Sequence, residues 1–510
     1  MRALPYVAAT MTASILLGCD DHTDASSLTT PSVAAPARAS FLTSGPAQAR
    51  ALGSATVKPI ISVGDPIPGL EDKQDRYERV WAPIPDGLGA YEDSGDLVVL
   101  ANHEITSGGV DGHFPYARVS RLVLDEQSLE VKEGSYAITG RPAGSLGLLF
   151  QRLCSATLVG RDEGFGDGWF FTGEESFSSG AEGIQLAVRQ DGSHVRRLPW
   201  LGRFAHENYI AVPGFRNKTV MLGTDDTSPA GLGEPLASEL YMYVADNPGG
   251  VLNGNGRLYV FKSSQASQAR NVGDLDEGES VSGRFEQLPD ASSLSADELQ
   301  EKADRHGAFK FVRLEDLDYD RRATVGQGPR SGDPLVYFVD TGNADGLCGS
   351  EPCDLNGSIY SIRLNADDPT RAAKLTLLAR SRGADQEFAS PDNIAVSEHS
   401  LMVQEDPAYS GFTRPERIWN FPLKRSGGLG NPRAVVELRT ERLSGTACSE
   451  PDGTCWETSG IIDVSRFLGA GSWLFDVQAH TLPFSFQDGD RKVDVAREGG
   501  QLLYLHVEGS

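Results

Sequence analysis

The sequence predicts an all-β fold of the β-propeller kind with one short helical insertion, and three observations carry that expectation. Of 510 residues, 57 are Gly and 28 are Pro, a turn-rich composition that suits many short strands better than long helices. Runs of β-branched and aromatic residues with period-two alternation recur along the whole chain. These apolar runs keep ending in acids, often roughly 70 residues apart, as they would if successive blades delivered strand ends to one mouth of a central channel.

In chain order, residues 1–19 read as targeting sequence. Arg2 precedes an apolar stretch, 3–17, that is too short to span a bilayer. It ends in Leu16-Leu17-Gly18-Cys19, the order of a bacterial lipobox. A lipid on Cys19 would tether the protein to a membrane surface outside the cytoplasm without spanning it. Residues 20–55 are Ala, Ser, Thr and Pro with few large apolar side chains, and a disordered linker is expected there. Residues 56–510 are then the folded domain. Strands are expected at 96–104, 118–125, 169–175, 184–189, 219–226, 239–244, 257–261, 335–341, 358–363, 401–406, 473–480 and 501–507. Asp191-Gly192 signals a tight turn between two of them. A helix is expected at 292–306, where Ser295 and Glu298 have the spacing of a capping box, inside a polar insertion at 262–308.

Charge and cysteines narrow the function. The chain carries 46 Lys and Arg against 71 Asp and Glu, a net charge of −25, which repels nucleic acid. Its hydrophobic fraction of 39 % fits neither a disordered chain nor a polytopic membrane protein. Cys348 and Cys353 flank one short loop, and Cys448 and Cys455 flank another. Two local disulfides are expected, in keeping with export. A four-cysteine zinc site is disfavoured because neither spacing is C-x2-C. Cys154 is left over and reads as a buried thiol. No G-x-S-x-G, Walker A or H-E-x-x-H pattern is present.

The recurring acids fall at 102–104 (Asn-His-Glu), 173–175 (Gly-Glu-Glu), 223–226 (Gly-Thr-Asp-Asp), 404–406 (Gln-Glu-Asp) and 475–476 (Phe-Asp), with Glu315 and Asp340 in the gap. Converging carboxylates repel one another and need cations. Oxygen-rich clusters suit Ca²⁺ first, with Mn²⁺ or Fe as rivals.

Seven stretches then match a known family in order: L-V-V-L-A-N-H-E at 97–104, F-F-T-G-E-E at 170–175, L-G-R-F-A-H-E at 201–207, L-G-T-D-D at 222–226, R-L-E-D at 313–316, S-P-D-N-I at 390–394 and W-L-F-D-V-Q-A-H at 473–480. The chain resembles the PhoX alkaline phosphatases over about residues 60–510. The resemblance implies a six-bladed propeller with a metal cluster at the channel mouth, hydrolysing phosphomonoesters with calcium and a pair of irons. Carried over residue by residue, Glu174 and Glu175 are metal ligands, Arg313 holds phosphate oxygens and Glu315 binds metal. Arg313, Glu315 and Glu174 are thereby the catalytic candidates. Glu207, Asp225 and Asp226 are further ligand candidates. In the resemblance, a cysteine precedes the double glutamate and binds the irons, whereas this chain has Gly173. The expected centre is therefore calcium or another hard cation without thiolate-bound iron, in a divergent member of the family.

His103 and His206 each precede a Glu. They read either as hydrogen-bond partners for phosphate or ligand carboxylates, or as buried residues fixing strand ends. His480 shares a strand face with Gln478, and a structural role is expected for it. The functional expectation is a monomeric, extracytoplasmic, lipid-anchored phosphomonoesterase acting on a small phosphate ester. A calcium-dependent propeller lactonase or esterase and a non-catalytic binding propeller are the alternatives, and Arg313 favours the phosphatase because a lactone site has little use for a charged fork.

Overall fold

The strongest apolar runs become the second strands of the sheets because both of their faces are buried. The computed structural model describes residues 39–141, 149–178, 180–228, 236–265, 269–324, 332–342, 347–348, 351–352, 354–383, 386–406, 414–439 and 456–510. In Trp169–Glu174, Phe170 packs toward Leu100 and Val119 of the preceding sheet, while Phe171 packs toward Tyr209 and Met221 of the following one. Met402 and Val403 divide in the same way between their two neighbours. Each apolar layer between adjacent sheets is thus filled from both sides.

Among the described residues the strands form six four-stranded antiparallel blades, each stepping outward from the axis, of which one carries a fifth strand and two are joined into a single nine-stranded sheet. Their inner strands are Pro85–Asp93, Leu153–Val159, His206–Val212, Leu314–Tyr319, Pro391–Val396 and Glu457–Asp463. Each touches the next, and the last touches the first, so the ring is closed. We number the blades one to six in this order. Blade 6 takes its outermost strand, Thr56–Ser62, from near the start of the folded region, pairing Thr56 with His506 and Val57 with Leu505. Ala49–Ala51 adds a fifth strand to blade 5 beside Arg433–Leu438. The folded unit, Arg38–Ser510, therefore starts ahead of the linker boundary expected at residue 55. The missed signal is a three-residue strand whose pairing supplies what its own composition lacks.

The 262–308 insertion is also more integrated than its polarity suggests. Ser280–Gln287 pairs with Gly256–Ser263 of blade 3 and Ala373–Arg380 of blade 4, joining the two blades at their rims. Its helix, Ala296–His306, has the expected capping box of Ser295 and Glu298, ends at left-handed Gly307, and buries Leu299 and Ala303.

One irregularity recurs in every blade. The start of each inner strand pairs with the end of the second strand, and the register then shifts. Pro85 faces His103 but Leu88 faces Ala101, and Leu153 faces Glu174 but Ala156 faces Thr172. Equivalent bulges follow His206, Leu314, Pro391 and Ser459. A bulge re-aims side chains and strengthens the local twist, which places six adjustable positions around the axis.

Cys19, the targeting segment, Cys353, Cys448, Cys455 and the side chain of Cys348 lie outside the described residues. Among the described residues no helix is long and apolar enough to cross a membrane.

Candidate metal and phosphate site

The bulges begin at Asp86, Cys154, Glu207, Glu315, Asp392 and, in blade 6, Gly460. Five of these six carry acids or a thiol, and they meet at one mouth of the channel. Donor atoms lie within 4.8 Å of one another in three groups: Asp86–Glu104–Cys154, Cys154–Glu175–Glu207 and Glu207–Glu315–Asp392. Blade 6 adds Asp476, whose two carboxylate oxygens are buried without a hydrogen-bond partner and whose pKa burial and then Asp86 push well above the ordinary range, and its Gln478 donates through Nε2 to Asp86 Oδ2 at 3.0 Å. Beneath the ring the channel is shut. Asn393 of blade 5 donates through Nδ2 to Ser155 Oγ of blade 2 at 2.6 Å, and Ser155 in turn donates to Glu207.

Above the ring lies a cavity of about 780 Å³. Glu104, Glu175, Asp226 and Asp406 line it from the ends of second strands, together with Arg152, Arg313, Glu457, Gln478 and His480. Arg313 grips Asp226 with two hydrogen bonds of 2.9 Å, from Nε and Nη2, and its Nη2 also lies 2.9 Å from Glu315 Oε1. Arg152 Nη2 bridges Glu104 Oε1 at 2.8 Å and Glu175 Oε2 at 2.6 Å. Two guanidinium groups are thus held in fixed directions by the acids they flank.

The ring is crowded with like charge. Burial first, and then Glu315, pushes Glu207 well above the ordinary carboxylate range. Burial and Asp226 do the same to Glu315, and burial and Glu207 to Asp392. Asp86 is pushed up to about 8 by burial and Glu457. The Cys154 thiol is held well above its usual value by burial, then by Asp86. Glu175 is the exception: burial opposes ionisation, but Arg152 outweighs it and lowers the pKa. Glu207 Oε2 and Asp392 Oδ1 are buried without a hydrogen-bond partner. Buried, mutually repelling oxygens with open valences are what bound cations would satisfy, so the donor set fits a metal cluster.

Metal removal should expose this strain. In metal-free protein the raised carboxylates hold protons that the unfolded chain would release. The stability these groups contribute is then fully present below the ordinary carboxylate range, and it is lost as pH rises through about 6 for Asp226 and about 8 for Asp86. Chelator-treated protein is expected to lose Tm between about pH 5 and about pH 8, and added cations to restore it. A Tm in chelator that is flat across that interval would contradict a cation-requiring ring.

Among the residues expected from sequence, Glu175, Glu207, Asp226, Arg313 and Glu315 come together here, and Glu174 and Asp225 do not. Alternation along the strand turns Glu174 away from the ring. It accepts hydrogen bonds from the backbone N–H groups of Gln151 at 3.1 Å and Glu182 at 3.0 Å, beside a separate side pocket. Asp225 is likewise turned away: it accepts from Thr227 at 2.9 Å, and Glu239, after burial, raises its pKa. His103 and His206 are buried strand-end residues with pKa values lowered to about 3, by burial in each case. His103 lies between Pro83 O and Ser120 Oγ, and the His206 ring packs against Phe204 at a tilt of 37°.

The expectation of a site without a cysteine is overturned. A side chain at 173 would point away from the ring, since a Cβ there would sit 2.4 Å from His206 Cβ. The thiol belongs to Cys154, one strand earlier, with Sγ 3.5 Å from Asp86 Oδ2. Asp86, Asp392 and Arg152 were not singled out by sequence reasoning, and Cys154, the buried free thiol expected there, was given no place in the site. Their signal is a recurring triplet, Pro-Asp-Gly at 85–87, Leu-Cys-Ser at 153–155, His-Glu-Asn at 206–208, Leu-Glu-Asp at 314–316 and Pro-Asp-Asn at 391–393. In four of the five an acid precedes a small residue or a second polar one, and Cys154 takes the acid's place in the fifth.

Comparison with known proteins agrees with this geometry. The family model described as alkaline phosphatase PhoX matches residues 188–458, more than half of the chain. A Pseudomonas fluorescens PhoX, solved in complex with vanadate, a transition state analogue, is 14 % identical with a TM-score of 0.63, over 92 % of this chain and 97 % of that one. At that identity the match shows the fold. A Dyadobacter fermentans protein of unknown function is 8 % identical with a TM-score of 0.42, over 89 % of this chain and 99 % of that one. A Penicillium chrysogenum alpha-L-arabinanase is 12 % identical with a TM-score of 0.40, over 87 % and 98 %. No curated protein sequence matches the chain. By its family match, its propeller and the ring of acids at the channel mouth, the chain belongs to the PhoX alkaline phosphatase family.

Proposed function

We propose that the protein is a metal-dependent phosphomonoesterase that releases phosphate from small organic esters outside the cytoplasm. The observation that carries this reading is the pairing of an acid-and-thiol ring with two fixed guanidinium groups across one cavity. Such a pairing suits a tetrahedral dianion and has no evident use for a lactone. The vanadate held by the Pseudomonas relative supports the same ligand class.

Cys154 with Asp86, Glu104, Glu175 and Glu207 would hold a transition metal such as iron or manganese. The all-oxygen group of Glu207, Glu315 and Asp392 would hold calcium. A single thiolate among hard oxygens favours this mixed set over calcium alone, and a bound metal would draw the proton from Cys154. When bound, these cations would supply charge neutralisation at phosphate oxygens and an activated water. The chain's own residues do the rest. Arg313 and Arg152 orient the phosphate from two sides of Glu175, and their carboxylate partners keep them aimed without reorganisation on binding. The polar floor under Glu207 keeps the ring oxygens at fixed height.

The Leu16–Cys19 lipobox supports attachment to a membrane surface, and detergent partitioning with intact-mass analysis tests it. For the chemistry, purified full-length protein is loaded with Ca²⁺ together with Fe or Mn²⁺ and assayed for phosphate release from p-nitrophenyl phosphate and glycerol phosphate. Metal-dependent, chelator-sensitive release is expected, with lactones inert. No release under any metal load would overturn the reading.

A further inference from the structure

The cavity wall contains a histidine, His480, that metal and phosphate binding leave unused. His480 follows the second strand of blade 6, Ser472–Ala479, and its side chain is 20 % exposed on the cavity. Its Nδ1 lies 2.7 Å from Glu498 Oε2, and Glu498 N donates to the His480 carbonyl at 3.1 Å. Its Nε2 lies 3.6 Å from Glu457 Oε2, another cavity residue. A carboxylate locking Nδ1 fixes the direction of Nε2, an arrangement that serves proton transfer on unrelated folds.

Chemistry singles this residue out. Once cations fill the ring its carboxylates are ionised, and arginines do not release protons. Among the described residues lining the cavity, the imidazole is then the group able to carry a proton as a cation and give it up.

We propose that His480, oriented by Glu498, donates the proton to the leaving-group oxygen. The proposal rests on the phosphomonoesterase reading. The bond between phosphorus and the ester oxygen breaks, its electron pair stays on that oxygen, and the Nε2 proton converts it to the free alcohol. Water supplies the new oxygen on phosphorus. One of its protons remains on the phosphate, and the other returns through solvent to reprotonate the imidazole. Burial opposes the charged imidazole, but Glu457 and Glu498 outweigh it and hold its pKa well above the ordinary histidine value. The donor is thus still loaded in mildly alkaline solution. Groups facing it are Glu457 from the inner strand of blade 6, Glu498 from the approach to the third strand, Gln478 from its own strand, and Glu104 and Arg152 across the cavity.

The test compares leaving groups in the metal-loaded holoenzyme. A general acid matters most when the departing oxygen is a poor leaving group. For His480→Gln, kcat/KM is expected to fall a few-fold with p-nitrophenyl phosphate and about 10²-fold or more with glycerol phosphate. The alkaline limb of the wild-type pH profile should disappear with it. Glu498→Gln, a milder change, should show the same selective loss at smaller size. Equal losses on both substrates, or no loss on the alkyl ester, with circular dichroism and metal content unchanged, would overturn the proposal and leave the phosphatase reading standing. A wild type inert on both substrates would remove that reading and this proposal together.

Discussion

Replacing Arg313 with Ala is expected to lower kcat/KM for phosphate monoesters by about 10²–10³-fold, about 3 kcal/mol of transition-state binding. The guanidinium is 13 % exposed and aimed by two bonds to Asp226 and one to Glu315, so it meets the phosphate without reorganising. The substitution also strands two buried carboxylates, which costs about 3–5 kcal/mol of stability in metal-free protein. Arg313→Lys separates these effects. It keeps a cation opposite Asp226 and Glu315 but loses the planar fork, so a large drop in kcat/KM with a near-normal Tm would report the phosphate contact. Full activity in folded Arg313→Ala would remove phosphate from this site.

Replacing Glu207 with Ala is expected to have the largest effect of any single carboxylate. Glu207 belongs both to the group with Cys154 and Glu175 and to the group with Glu315 and Asp392. Its loss should therefore empty both metal positions. Bound metal by elemental analysis should fall, and activity should fall by about 10³-fold or more. Glu174→Gln is the control, since Glu174 hydrogen-bonds to backbone N–H groups beside a different pocket. It should retain metal. Equal metal loss in both variants would mean that the ring is not the metal site.

These two residues also mark how much of the site was legible beforehand. Glu175, Asp226 and Arg313 stand beside strong apolar runs and inside recognisable stretches, so they could be picked out along the chain. Their neighbours Glu174 and Asp225 could not be told apart from them, because adjacent acids at a strand end differ by which way alternation turns them. The register of each second strand against its bulged inner strand makes that choice. Cys154 shows the same limit more sharply. In sequence it stands 21 residues ahead of Glu175, and the thiol meets that carboxylate through the pairing of Leu153 with Glu174.

The middle strands, the capped helix and the turn-rich, all-β class could be read directly along the chain. Middle strands bury both faces, so their composition records their environment, as Phe170 and Phe171 do. The inner ring, by contrast, emerges from long-range packing. Strands such as Pro85–Asp93, Leu314–Tyr319 and Pro391–Val396 face a polar axis and carry bulges, so neither apolar content nor period-two alternation announces them. Their acids converge because six blades close on one another, and closure depends on contacts between residues hundreds of positions apart, which no local pattern encodes.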